Sequence, residues 1–183
     1  LGGPKGVGCL LMKPGQEIMA QIHGGGQEMG RRAGTENVIG IAGFGATAEA
    51  AARDLADGKW APIEKLRNIL EKVLEASGKP LILVGTGSTR LPNTSCFAAP
   101  GWKGETQVMQ MDLAGFAVSA GSACSSGKVK ASRVLRAMGY DDDVASCAIR
   151  VSLGLETTED EVEQFATAWL AAYERFLARK AAR

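Results

Sequence analysis

One thiol stands apart by its surroundings. Cys124 lies in the run Ser119-Ala120-Gly121-Ser122-Ala123-Cys124-Ser125-Ser126-Gly127-Lys128-Val129-Lys130, among serines and alanines, with a glycine on each side and two lysines just downstream. Small polar residues between glycines bury little surface and leave the backbone free, so the stretch reads as an exposed, mobile loop carrying one cysteine. Loops of that kind often carry function. Two readings of Cys124 are open: a loop cysteine of no consequence, or a nucleophile whose thiolate is favoured by the charges of Lys128 and Lys130. A phosphate-cradling loop fits poorly. The G-x-x-x-x-G-K-[ST] pattern needs four residues between its glycines. Here five separate Gly121 from Gly127, and Val129 stands where a metal-binding hydroxyl is required.

Arg150 is the second candidate. It sits between Ile149 and Val151 in an alternating run, on the face opposite to theirs. It is either a solvated edge residue or a planar fork for a carboxylate or phosphate. Thr35 is the third, following Arg31, Arg32 and Gly34. It can cap the next helix, or offer its hydroxyl beside helix N-terminal amides as an anion site. His23 precedes three glycines without a visible partner and is taken as structural.

The elements that must position these residues follow from pattern. Residues 7–12 and 16–22 predict two strands, separated by a Lys13-Pro14-Gly15 turn, and residues 36–57 an alanine-rich helix. Gly58 marks a break. Ile63, Leu66, Ile69, Leu70, Val73 and Leu74 recur at helical spacing, with Pro62 where a first turn tolerates it. Short strands are expected at 81–84, 94–98 and 116–118, and helices at 104–114, 132–138 and 141–145. In residues 147–153, Cys147, Ile149, Val151 and Leu153 face one way and Ala148, Arg150 and Ser152 the other. Thr158 and Glu161 form a capping-box pattern ahead of a long amphipathic helix through Val162, Phe165, Trp169, Tyr173 and Phe176. The expected class is α/β, with helices packed on a short sheet.

Composition narrows the function classes. Apolar residues make up 45% and charged residues 22% of the 183 residues, enough for a real core. Lys+Arg 21 against Asp+Glu 20 gives a net charge of +1. That lacks the basic excess of a nucleic-acid binder. No membrane span or signal-peptide layout is visible. Cys9, Cys96, Cys124 and Cys147 are widely spaced and include no C-x-x-C pair, so they are read as unpaired thiols of a reducing cytoplasm and not as a metal site. Cys9, Cys96 and Cys147 lie in apolar contexts where a buried, inert thiol is expected.

Taken with residues 23–35 and 148–154, the 119–139 segment resembles the C-terminal half of a cysteine desulfurase of the NifS/IscS class, within the class-V aminotransferases. The Ser-Ala-Gly-Ser-Ala-Cys-Ser-Ser-Gly run carries most of that resemblance. It implies a pyridoxal 5'-phosphate enzyme that takes sulfur from L-cysteine, leaving L-alanine and a persulfide on the loop cysteine. The sulfur then goes to an acceptor such as an iron–sulfur scaffold protein. By position, Cys124 resembles the nucleophile and Arg150 the residue holding the substrate carboxylate. Thr35 resembles the residue reaching the cofactor phosphate of the other subunit in a homodimer. The resemblance also implies that residues 1–56 end the large cofactor-binding domain and residues 57–183 form the small C-terminal domain. Met29 departs from the family, where arginine is frequent. The Schiff-base lysine of the family falls one position before Leu1, and Lys5 does not match it. The cofactor's lysine anchor is therefore expected outside this chain, together with the stacking histidine, the aspartate partner of the pyridine nitrogen and most of the phosphate cup. The chain alone is expected to lack the cofactor-anchoring N-terminal half, to be inactive without it, and to associate through the unpaired edges of its first strands. The alternative is a non-enzymatic sulfur carrier or interaction module lacking that half.

Overall fold

The computed structural model describes residues 2–121 and 131–182. The chain divides into two compact units, Leu1–Gly58 and Lys59–Arg183.

In the first unit the expected strands at 7–12 and 16–22 do not form; among its described residues there is no strand at all. A strand is completed by the ladder of a neighbour, and the apolar run lies open instead, with Leu10 and Leu11 at 70% and 91% exposure. The unit is organised by α1 (Val38–Ala56). Its cap is not Thr35 but Asn37, whose side chain accepts a hydrogen bond from Gly40 N at 3.1 Å. The asparagine sits immediately before the first helical residue, where a side-chain oxygen can reach an orphan amide, and Thr35 is too far upstream. Pro4 packs against the glycine face of α1: a Cβ on Gly43 would lie 2.5 Å from Pro4 Cγ.

The second unit holds the sheet. Its elements are α2 (Trp60–Ala76), β1 (Ile82–Leu83), β2 (Thr94–Ala98), α3 (Gly104–Leu113), β3 (Ser119–Ala120), α4 (Arg133–Ala137), α5 (Asp142–Ser146), β4 (Ala148–Ser152) and α6 (Glu159–Ala181). The strand order is β1-β2-β4-β3, every pair antiparallel. This is the expected class, helices packed on a short sheet. The strand expected at 116–118 begins later, at Ser119. Phe116 N still bonds to Met111 O at 2.8 Å in the turn that ends α3, and its ring packs edge-on to Phe165 with centroids 5.5 Å apart.

Side-chain alternation divides the sheet into two unlike faces. Phe97, Ile149 and Val151 point to one side, against Leu70 and Leu74 of α2 and Phe165, Trp169 and Tyr173 of α6. Trp169 meets Phe97 edge-to-face at 5.1 Å, and Trp102 stacks on Tyr173 at 5.5 Å. Gln107 lies fully buried beside them yet is satisfied. Its Nε2 donates to Trp102 O at 2.8 Å and Cys147 O at 2.7 Å, and its Oε1 accepts from Trp169 Nε1 at 3.1 Å. Ala98 and Ala148 point the other way, into a smaller cluster with Val84, Leu135 and Ala145. The Thr158–Glu161 capping box forms as expected and starts α6. Among the described residues no helix is long and apolar enough to cross a membrane.

Candidate active site

Cys124 lies outside the described residues, but both neighbours of its segment are fixed. On the entering side, Ala120 pairs with Ile149, and the chain bends at Gly121 with a φ of 60°, a conformation that favours glycine. On the returning side, Ala131 packs into the small cluster with Ala98 and Ala148, and Ser132 N bonds to Ala145 O at 3.4 Å. Ser132 then caps α4 through Leu135 N at 3.3 Å. The described residues flanking the Cys124 segment thus lie at the end of β3 and against the cluster that covers the second face of the sheet.

Arg150 belongs to that place. It stands on β4 directly opposite Ser119 on one side and Cys96 on the other. Directly opposed residues project to the same face, so these three share the less covered side of the sheet. Arg150 is exposed, and among the described residues its guanidinium has no hydrogen-bond or ion-pair partner. A free planar fork is suited to a carboxylate.

Thr35 falls in the first unit, within the glycine-dense 23–35 segment. It is exposed, and its hydroxyl has no partner among the described residues. Arg31 and Arg32 lie in the same stretch, Arg32 bonding through Nη1 to Gly34 O at 3.2 Å. Just upstream, Glu28 and Met29 adopt left-handed backbone, φ 52° and 56°, which non-glycine residues enter only at a conformational cost. A free hydroxyl with guanidinium groups nearby in sequence is a donor set that fits a phosphate. Structurally, Arg150 and the base of the cysteine segment come together, while Thr35 is placed in the other unit.

The thiols divide differently from expectation. Cys147 is buried as expected, at 1% exposure. Cys9 is exposed, contrary to expectation, because the strand that was to bury it does not form. Cys96 is only half-buried and faces Arg150. Burial pushes its thiol pKa up, and the Arg150 charge partly opposes that rise. The alternation of β2 hints at two faces, but nothing in the linear sequence pairs residue 96 with residue 150.

A buried ion-pair network also escaped the sequence reading. Arg90 grips Glu71 with two bonds of 2.7 and 2.8 Å, and Ser95 Oγ donates to Glu71 at 2.7 Å. Arg67 donates to Leu91 O at 2.7 Å. These bonds tie α2 to β2 and to the connection before it. Burial alone would raise the Glu71 carboxyl pKa; the bonds from Arg90 and Ser95 and the two guanidinium charges outweigh it and hold it below the usual value.

Comparison with known proteins fits this arrangement. The aminotransferase class-V family model matches residues 1–165. A cysteine desulfurase of Klebsiella pneumoniae is 43% identical over 161 residues, covering 88% of this chain and 40% of that protein. The cysteine desulfurase IscS of Dictyoglomus turgidum is 41% identical over 160 residues, covering 87% and 40%. Among solved structures, a NifS-like protein superposes with a TM-score of 0.77 at 36% identity, over 96% of this chain and 43% of that one. A NifS-like protein from Rickettsia africae gives 0.74 at 32% identity, over 87% and 41%. The chain spans about two-fifths of the length of the curated relatives it matches. On the extent of the family match, the chain belongs to the class-V aminotransferases.

Proposed function

We propose that this chain is the C-terminal portion of a cysteine desulfurase, with residues 1–56 ending the large domain and residues 57–183 forming the small one. The reading is carried by one observation: Arg150, whose guanidinium has no partner among the described residues, stands directly opposite Ser119 at the base of the segment bearing Cys124. The similarity to proteins named cysteine desulfurase supports it.

Arg150 takes the carboxylate of L-cysteine as a two-pronged hydrogen-bonded pair. The Cys124 thiolate then attacks the substrate sulfur. A sulfur–sulfur bond forms, the carbon–sulfur bond breaks, and its electron pair stays on carbon, which picks up a proton to give L-alanine. Pyridoxal phosphate, when bound, supplies the electron-withdrawing ring that lets that carbon hold the pair. Thr35 is the residue of this chain that would hold the cofactor phosphate, across the interface of a homodimer. The persulfide on Cys124 passes its outer sulfur to an acceptor thiol, such as that of an iron–sulfur scaffold protein, in a reducing cytoplasm.

The test is alanine formation from L-cysteine by the complete protein loaded with pyridoxal phosphate, with the persulfide located by mass spectrometry. Alanine formation at background level in Cys124→Ala, with a persulfide on Cys124 in the unmodified protein, is the expected result. Undiminished alanine formation by Cys124→Ala overturns the proposal. Sulfur reaching Cys124 only from a donor protein, without alanine, favours a carrier instead.

A further inference from the structure

Directly opposite Arg150 stand Ser119 and, likewise unused by the proposed chemistry, Cys96. The hydrogen bonds at the two ends of the β2–β4 ladder fix the kind of pair it makes. Leu153 N bonds to Asn93 O at 2.9 Å, and Ala99 N bonds to Cys147 O at 3.3 Å. With the register Ser95 to Val151 and Phe97 to Ile149, antiparallel alternation makes the odd-numbered positions of β2 the hydrogen-bonded pairs. Cys96 and Arg150 are therefore a non-hydrogen-bonded pair, in which the two Cα atoms are about 4.5 Å apart and the side chains stand closest. The bond from Val84 N to Cys96 O at 2.9 Å agrees, because it turns the Cys96 backbone toward β1 and away from β4. By the same alternation the Arg150 backbone bonds toward Ser119. Its main chain is thus hydrogen-bonded to β3, while its closest cross-strand neighbour by pairing is Cys96 of β2.

Cys96 packs against the small cluster of Val84, Ala98, Leu135, Ala145 and Ala148, so a bulkier group at position 96 has room only away from that cluster, where its closest cross-strand neighbour is Arg150. Serine keeps the size of cysteine, whereas valine and leucine do not.

We propose that Cys96 is a positioning residue: its small side chain, closest across the strand from Arg150, sets where the guanidinium can meet the substrate carboxylate. This rests on the assignment of Arg150 as the carboxylate-binding residue. It predicts that bulk at position 96 weakens recognition of carboxylated ligands without slowing the chemistry. The thiol plays no covalent part.

The test uses the complete, cofactor-loaded protein and the variants Cys96→Ser, Cys96→Val, Cys96→Leu and Arg150→Lys. Cys96→Ser is expected to keep the KM for L-cysteine, while Cys96→Leu raises it about tenfold with kcat changed by less than about twofold. Cys96→Val should fall between, and it carries the test if Cys96→Leu does not fold. Inhibition by cysteamine, which has the amine and thiol but no carboxylate, should be unchanged in all the Cys96 variants. Independently of turnover, Arg150→Ala should slow alkylation of Cys96 by iodoacetamide at fixed pH, measured on its peptide, because the neighbouring cation is gone. A raised KM in Arg150→Lys with an unchanged KM in Cys96→Val and Cys96→Leu overturns the positioning role and leaves Arg150 standing. An unchanged KM in Arg150→Lys removes the assignment of Arg150, and the inference with it. Equal weakening of L-cysteine and cysteamine would show a general packing defect and overturn the proposal too.

Discussion

The two faces of the β1-β2-β4-β3 sheet are built from the same strands and do opposite work. On one, Phe97, Ile149 and Val151 are sealed under α2 and α6, and the polar groups of Gln107 and Glu71 are fully partnered. On the other, the cover of α4 and α5 reaches Ala98 and Ala148, while Arg150 remains exposed, its guanidinium without a partner among the described residues. The alternation of β4 assigns neighbouring residues to these faces, so Ile149 and Arg150 differ in fate by a single step along the chain. A strand can therefore draw its rigidity from one side and present a charged group on the other. Substitutions on the first face should lower stability and spare the chemistry of the molecules that fold. Those on the second should do the reverse.

The strongest test of that division is Trp169→Ala. It removes a fully buried indole from contact with Phe97, Trp102 and Tyr173 and leaves Gln107 Oε1 without its donor. A loss of about 4 kcal/mol is expected, read as a lowered denaturant midpoint with unchanged activity per folded molecule. Glu71→Ala comes next. It strands Arg90 beside the core and should remove about 3 kcal/mol. The same pair gives a pH dependence. The folded-state pKa of Glu71 lies below its ordinary value of 4.5, so its contribution is complete above that value and is lost as the pH falls through the folded-state pKa. The urea midpoint should therefore drop on acidification below about pH 4.5, and drop less in Glu71→Gln.

On the open face, Arg150→Ala should raise the KM for L-cysteine about a hundredfold and change stability by less than about 0.5 kcal/mol. If it unfolds the protein instead, the two faces are not separable and the division is wrong. The smallest effects are expected ahead of α1, where a similar separation holds between two residues. Asn37→Ala should remove about 1 kcal/mol by stripping the cap. Thr35→Ala should leave the α1 helical signal intact and weaken pyridoxal phosphate binding by the complete protein, followed by its absorbance.

Much of the second unit is legible in the linear pattern because its determinants are local. β2 falls at Thr94–Ala98, the Thr158–Glu161 box starts α6, and the alternation from Cys147 to Leu153 gives the correct face for every residue of β4. Ala148, on the second face as expected, is buried there because α4 and α5 cover it, which periodicity cannot report. Asp141 likewise caps α5, its side chain accepting from Val144 N at 2.8 Å. Residues 7–12 misled for the opposite reason: an apolar run signals a strand, but a strand exists only where another chain segment completes its ladder.

What the amino-acid order settled by itself was the family, through the serine–alanine–glycine setting of Cys124, together with the helices and strands whose caps and periodicities lie within a few residues of one another. What needed the folded chain was which residues meet. Arg150 stands between Ser119 and Cys96, and Glu71 is gripped by Arg90, because strands and helices separated by tens of residues come into one register. Register and packing are long-range outcomes of burying a shared core, and no local pattern of residues contains them.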